Sequence, residues 1–531
     1  AAAAPVAAAA ARTSVMTAWS LSPGQRADVV RRIASSLACL AHARGGEIAD
    51  ADAAAAASSI ERKAYTAAEV ASNVTTGTRP AIETTKGYTR KLAELVLEAV
   101  ENGGKASAQG SAGSGEAQTV DLFDPHDRAF LTADLTEEVL KDMLAPGSVV
   151  SKIRFSTKSF GRDAAAVAAK AIANVAGSLR HADISDVIAG RPEDEALDAL
   201  RTLCGALAGC QLSVLNLSDN ALGEKGVRAC ASAITSQAGL QSLSLQNVGC
   251  SIHACAAVEE LLQASGELRQ LHLFNNMSAD AGAEHIAKIL ARAPKMEDFR
   301  MASSRVGPGG GSALARGLCA GQCLTRLDVS DNPMTAEAAA ALAACVAQQP
   351  NLTYLNLNDT ALTDDGVTEV CRALAAAAPK LQELELALNE VTPDSAAALA
   401  LALLNKPALW RVNIRENELE DKGAVIISRA VAALPSLRVL DACGNQIRRV
   451  GCTSLARAAI SRPGLEMLML DENMMSEAGL EEVQEIFESA KKSHALGPLE
   501  ENMEEDDEEL DDEDAGELGD ALADALAKAT I

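Results

Sequence analysis

The run LSVLNLSDNALG, residues 212–223, places Leu at 212, 215 and 217 and Asn at 220. The same spacing, L-x-x-L-x-L-x-x-N, returns as LRQLHLFNN from Leu268, LTRLDVSDN from Leu324 and LQELELALN from Leu381. It returns again as LWRVNIREN from Leu409, LRVLDACGN from Leu437 and LEMLMLDEN from Leu465. Looser copies fill the gaps: LQSLSLQNV from Leu240, MEDFRMASS from Met296 and LTYLNLNDT from Leu352. The last position of each copy falls at Asn220, Val248, Asn276, Ser304, Asn332, Thr360, Asn389, Asn417, Asn445 and Asn473. The numbering advances by the same step each time, apart from one step longer by a single position before Asn389. Seven of these ten positions are Asn, so the repeat demands a side-chain amide there.

Alternate Leu residues point to one face of a short strand. An Asn at the strand end can satisfy backbone groups where the chain turns away. The second half of each unit, as in GVRACASAI or AEAAAALAACV, is Ala-rich with helical spacing. A unit of this length that holds one strand and one helix is a leucine-rich repeat. The predicted fold is an α/β horseshoe of the ribonuclease-inhibitor type, with a parallel sheet lining its concave face.

Two weaker units precede these. SKIRFSTKSFG, from Ser151, sets Ile153 and Phe155 where later units have Leu. LRHADISDVIAGRPEDEALDAL, from Leu179, sets Ile184 on the next strand. The step from Val187 to Asn220 is longer than the regular one, and the insertion falls in the loop holding Gly190, Arg191 and Pro192. About twelve units are expected over 149–488. Residues 15–104 carry helical apolar stripes (Val29, Ile33, Leu37, Leu40; then Leu92, Leu95, Val96, Ala99) and predict a small all-α domain. Residues 1–14 read as an Ala-rich low-complexity tail, and 105–148 as a Gly/Ser-rich linker and cap. Residues 489–531 contain 14 acidic residues between Glu500 and Asp520, with no Lys or Arg there, and predict a disordered acidic tail.

Net charge is −26, and −12 remains without that acidic block. Both values disfavour nucleic acid and anionic membranes, which need a positive footprint. No apolar run approaches the ~18 residues of a membrane span; the stretch Ala396 to Leu404 is about half that. The 12 Cys include no C-x-x-C, and the 7 His do not cluster with them, so no metal site is expected and the thiols are read as free and buried. There is no G-x-S-x-G, Walker sequence or H-E-x-x-H. The glycines of RVGPGGGSALARG (305–317) imitate a phosphate loop but lack its Lys-Ser/Thr ending. The chain is read as a binding protein rather than an enzyme.

The position before each ladder residue holds Asp219, Asn247, Asn275, Ser303, Asp331, Asp359, Leu388, Glu416, Gly444 and Glu472. Five of the ten are acidic, which forms either a ridge for a basic protein surface or the solvated edge of an acidic protein. Asp219, Asn275, Asp331, Asp359 and Glu416 are the candidate partner contacts. Asn247 stands where the ladder does not require Asn, since Val248 holds that position. Asn220 fits the ladder. Arg191 is the basic side chain of the inserted loop, either functional or paired with Glu193 or Asp194.

The stretches ISDVIAGRPEDEAL (184–197) and LNLSDNALGEKGVRA (215–229) resemble the Ran GTPase-activating protein family, RanGAP. HLFNNMSADAGA, LEMLMLDENMMSEAG and the acidic tail agree with it in order and spacing. QRADVVRRIASSLA (25–38) and IERKAYTAAE, from Ile60, resemble the helices of the WPP domain of the plant and green-algal type. The Trp-Pro-Pro signature itself is altered: Trp19 is followed by Ser20 and Leu21, with the proline at Pro23.

The resemblance implies a GTPase activator for Ran that supports directional nucleocytoplasmic transport. It implies action without an arginine finger, by ordering the catalytic Gln of Ran. By motif, Asn247 makes that contact, Asn220 is a further critical residue, and Arg191 lies near the nucleotide. Fungal members have a Lys two residues after that Arg, where this chain has Glu193. No cofactor is expected in this chain, because Ran carries GTP and Mg²⁺. The implied partners are Ran-GTP, a Ran-binding protein in a ternary complex, and a coiled-coil anchor at the cytoplasmic face of the nuclear envelope, reached through Trp19 and Pro23. The competing expectation is a passive repeat scaffold or inhibitor-type binding module.

Overall fold

The structure is a computed structural model that describes residues 118–124 and 128–502, with Arg26, Val29, Val30, Ile33, Ala57, Ile60, Glu61 and Leu92. The chain divides into two compact units, Ala1–Glu116 and Ala117–Ile531. In the first, the described residues are helical and Ile33, Ala57 and Ile60 are buried. Arg26 grips the buried Glu61 through Nε and Nη2, each at 2.7 Å. Leu37, Leu40, Trp19 and Pro23 lie outside the described residues.

The second unit is the horseshoe. Thirteen strands run parallel in chain order, from Gln118–Asp121 and Val150–Arg154 through Val214–Asn216 to Met467–Met469. The register follows the sequence period: Leu215 pairs with Leu243, Leu243 with Leu271 and Leu271 with Phe299. The one longer step leaves the register intact, since Leu355 pairs with Leu384, so the helical side absorbs the extra residue. The inward residues of each strand and its exit, such as Leu215 and Leu217, are fully buried. Truncating one of them to Ala removes about 2–5 kcal/mol. Helices such as Glu193–Leu207, Ala279–Leu290 and Pro393–Leu404 cover the convex side. Their many Ala and Gly residues let adjacent helices stack at the spacing the sheet dictates.

The ladder positions behave as their chemistry requires. Asn332 Nδ2 donates to the carbonyls of Met301, Val329 and Ser330, while its Oδ1 accepts from the N–H groups of Ser304 and Val306. Asn276, Asn417 and Asn473 bond in the same way. One amide thus satisfies buried backbone groups of two consecutive turns.

Three sequence expectations need correction. Among the described residues the sheet begins at Gln118, inside the segment read as linker and cap, so one strand precedes the twelve that fall within the expected 149–488. That first strand, QTVD, carries only Val120 on its inner side, so it has no repeat signature. The ladder also runs past 488: Asn502 Oδ1 accepts from Asn473 N at 3.0 Å, and Leu496 bridges Leu468. This half-unit closes the open end within the stretch read as acidic tail. Ile184 lies one residue beyond the strand His181–Asp183, whose inward residue is Ala182.

The helix ends facing the next unit are also completed by side chains. Lys406, 2% exposed, donates its Nζ to the carbonyls of Leu374 and Ala377 at 2.5 and 2.9 Å. Burial lowers its ammonium from 10.5 to about 8. Between those values the unfolded chain holds a proton that the folded chain has released, so this group makes stability rise with pH across the window. Gln349 does the same task without a charge. Lys406→Gln is expected to abolish that contribution: wild type should gain about 3 kcal/mol on the variant between pH 7.5 and 10.5. Urea unfolding of both chains at the two pH values measures it, and a constant difference would refute the assignment.

Candidate functional site

From Asp186 to Glu472, every residue just before a ladder position has left-handed backbone. The φ values are 51° at Asp186, 59° at Asp219, 51° at Asn247, 57° at Asn275, 49° at Ser303, 52° at Asp331 and 51° at Asp359. They continue at 57° for Leu388, 51° for Glu416, 63° for Gly444 and 59° for Glu472. Asn and Asp tolerate this conformation better than other side chains bearing a Cβ. The acidic and amide character of the rim therefore has a backbone cause beyond partner charge or solvation. Asn247 is correspondingly less free than its place beside Val248 suggested: its own φ favours Asn.

Asp219, Asn247 and Asn275 are exposed and linked. Asn247 Nδ2 donates to Asp219 Oδ1 at 3.1 Å, and Asn275 Nδ2 donates to Asn247 Oδ1 at 3.1 Å. Asn247 separates two grooves. The first, about 1150 Å³, runs from Phe123, Arg128 and Arg154 past Asp183 and Asp186 to Asp219 and Asn247. The second, about 510 Å³, holds Asn247, Asn275, Met277, Arg305, Asp331 and Pro333.

In the first groove, Asp186 meets Arg128 at 2.6 Å. Burial pushes the Asp186 carboxyl above its ordinary value against the pull of Arg128, and the nearby Asp219 charge adds to the rise. Arg154 lies 3.6 Å over the Phe123 ring and 3.7 Å from Asp183. Asp186 was missed, although the repeat pattern could have found it, since it precedes Val187 as Asp219 precedes Asn220. Arg128 and Phe123 come from the cap, which has no repeat period to reveal them. Met277, 53% exposed, and Arg305 carried no signal distinguishing them from ordinary turn residues.

Arg191 borders the first groove but its guanidinium is engaged. Nε donates to Ser159 Oγ at 3.0 Å and Nη2 to the Ser159 carbonyl at 2.8 Å. Nη2 also reaches the Leu131 carbonyl and Nη1 reaches Glu195, both at 3.4 Å. The guanidinium stacks 4.9 Å from the Phe130 ring centroid, and a Cβ at Gly190 would sit 2.8 Å from that ring. Its acidic neighbour is thus Glu195, not Glu193 or Asp194; Glu193 pairs with Lys225. Arg191 braces the inserted loop against the strands Phe130–Leu131 and Ser159–Phe160.

Asn220 is buried. Its Nδ2 donates to the carbonyls of Ile184, Leu217 and Ser218, and its Oδ1 accepts from Val187 N. It acts on the rim by holding the turns that carry Asp186 and Asp219. Asp331 faces the second groove, while Asp359 and Glu416 lie further along the rim. Glu416 pairs with Arg415 at 2.8 Å, and Arg415 also holds Glu472. In the glycine cluster, the Asp280 carboxylate accepts from Gly307 N, and a Cβ at Gly310 would lie 2.8 Å from Asp280 Oδ1. That helix start already holds an anion of the protein itself. Among the described residues there is no cluster of His, Cys, Asp or Glu suited to a metal, and no helix long and apolar enough to cross a membrane.

Residues 15–110 match the WPP domain family, and 322–343, 348–371 and 377–400 match a leucine-rich repeat family. Together with the horseshoe, these matches define a leucine-rich repeat protein that carries a WPP domain. The chain is similar to RAN GTPase-activating protein 2 of Arabidopsis thaliana, 40% identical over 165 residues, 29% of this chain and 30% of that protein. RAN GTPase-activating protein 1 of the same plant is 38% identical over 158 residues, 30% of this chain and 29% of that protein. A ribonuclease inhibitor of Sus scrofa is 26% identical over 238 residues, 39% of this chain and 52% of the inhibitor. The chain thus spans about three-tenths of the two plant relatives and about half of the inhibitor.

The bracing role of Arg191 has a measurable consequence. Arg191→Ala is expected to lower the unfolding free energy by about 1–3 kcal/mol. It should also speed amide exchange in the strands Phe130–Leu131 and Ser159–Phe160. Urea unfolding and hydrogen exchange check both, and unchanged values would mean the contacts contribute nothing.

Proposed function

We propose that this chain is an activator of the small GTPase Ran and stimulates GTP hydrolysis by ordering Ran's own catalytic Gln. The observation that carries this reading is the similarity to two RAN GTPase-activating proteins, joined to a WPP match in the same chain. The geometry supports it. Positioning a partner's side chain and excluding water need a rigid edge with one polar group on its crest. Asn247 occupies such a crest, between two grooves. GTP, Mg²⁺ and the phosphate loop belong to Ran, so this chain needs none. The contacts that hold Arg191 within its own unit favour a mechanism without an arginine finger.

In this reading Asp331 and Asp359 receive basic side chains of Ran, with Glu416 weakened by Arg415. A Ran-binding protein joins as a third component, and the WPP unit, through Trp19 and Pro23, docks to a coiled-coil anchor at the cytoplasmic face of the nuclear envelope. The chain itself is then not an enzyme.

Single-turnover GTP hydrolysis by Ran, with catalytic amounts of chain, tests the reading. Asn247→Ala is expected to cut stimulation about a hundredfold or more while Ran-GTP still binds. Normal stimulation by that variant removes Asn247 from the mechanism. A wild-type chain that binds Ran-GTP without stimulating it is a passive binding module.

A further inference from the structure

The rim row Asp219, Asn247 and Asn275 has a direction. The three positions recur once per repeat, so the parallel sheet sets them about one strand spacing apart, ~4.8 Å. At that spacing neighbouring carboxyl and amide groups bond directly, and both links are 3.1 Å. A side-chain amide by itself can lie either way round, because its oxygen and nitrogen have nearly the same shape. A carboxylate cannot serve either end equally, because it only accepts. Asp219 therefore draws the NH₂ of Asn247 towards itself. The Asn247 oxygen is left facing Asn275, whose NH₂ completes the row. Turning the Asn247 amide over would set oxygen against oxygen at Asp219 and lose that hydrogen bond, and the bond to Asn275 would survive only if that amide turned as well.

We propose that Asp219 is a positioning residue: through this row it fixes the direction in which Asn247 presents its amide to the GTPase. This rests on the GTPase-activation reading above and deepens it. An amide has two N–H donors and two oxygen lone pairs. The row uses one of each, so Asn247 keeps one donor on the Asp219 side and one acceptor on the Asn275 side. A glutamine amide offers the complementary pair. That glutamine must also hold the attacking water, so its own direction is constrained and a reversed Asn247 no longer matches it.

The fold does not depend on this direction. The backbone bonds of the turns belong to the buried Asn220 and Asn276, and the left-handed conformation accepts Asn and Asp alike. The row can therefore be rebuilt in reverse with the same composition and net charge, by combining Asp219→Asn with Asn275→Asp. In the double variant the carboxylate stands at the other end and the Asn247 amide turns over with all its bonds intact.

Single-turnover Ran-GTP hydrolysis is measured for wild type, Asp219→Asn and the double variant, over a range of chain concentrations, beside thermal unfolding. The double variant is expected to lose about tenfold or more in the stimulated rate at saturation, with half-saturation within about threefold and an unchanged Tm. Asp219→Asn alone is expected to lose about twofold, because its row can run either way. A double variant as fast as wild type overturns the proposal. So does a raised half-saturation with an unchanged maximum, which makes Asp219 a direct partner contact. A wild-type chain without stimulation sinks the GTPase-activation reading itself. Stimulation that survives Asn247→Ala leaves that reading standing and ends the positioning role.

Discussion

The ladder amide is the constraint on which the rest of the structure depends. In each repeat the chain must leave a buried strand and turn towards the convex side, which strips several backbone groups of water. Unpaired, each such group costs about 1–3 kcal/mol. An Asn at the turn offers two donors and two acceptor sites on a short stem. It reaches carbonyls of its own and the preceding repeat, and the N–H groups of that preceding turn, as Asn332 does. From Asp186 to Glu472, the residue before each ladder position takes left-handed backbone and stands on the rim, whether the position is Asn, as after Asp219, or not, as at Val248 after Asn247. The exposed row that includes Asp219 and Asn247 is thus set by a turn that every repeat shares, and the buried amides of neighbouring repeats hold that turn.

The same economy governs the helices. Asp364 accepts from Thr392 N, and Asp421 from the N–H groups of Arg448 and Gly451, so an acid on one repeat caps the helix of the next. At the opposite ends, Gln237, Gln349, Lys406 and Lys492 donate to carbonyls left open by the preceding helix. Each repeat completes its neighbour and is incomplete without it. The two termini of the array therefore need special closure. The strand Gln118–Asp121 supplies it at one end and the half-unit around Leu496 and Asn502 at the other.

What the sequence could reveal follows from this logic. Period and side-chain type identify the strands, the buried Leu positions and the ladder, because those are fixed by burial and recur. The caps stayed hidden, since a segment that closes an array has no further neighbour to match and keeps only half of the pattern. Asn502 follows Asn473 by the same longer step that precedes Asn389, but its acidic surroundings masked it. At the site, the row of residues preceding the ladder was visible as a pattern, while its left-handed backbone was not. The acidic row was therefore weighed only as a partner ridge or a solvated edge, where conformation is part of the cause. Arg191 shows the converse. Its place in an inserted loop left it either functional or paired with Glu193 or Asp194, and only the three-dimensional path of the chain brings Ser159, Leu131 and Phe130 around it.

A rim built in this way separates function from folding. Positions 219, 247 and 275 share one backbone conformation and one spacing, all three are exposed, and the buried amides of Asn220 and Asn276 carry the turns. Exchanging Asp for Asn at such a position changes a donor into an acceptor, or a charge into none, without altering the frame. Horseshoes of the same architecture can then serve as inhibitor, scaffold or activator. Likeness of fold to a ribonuclease inhibitor carries little weight about activity, whereas the chemistry of a few rim residues carries much. A single amide placed between a carboxylate and another amide is where this chain departs from a merely solvated edge, because there the frame specifies both a place and a direction.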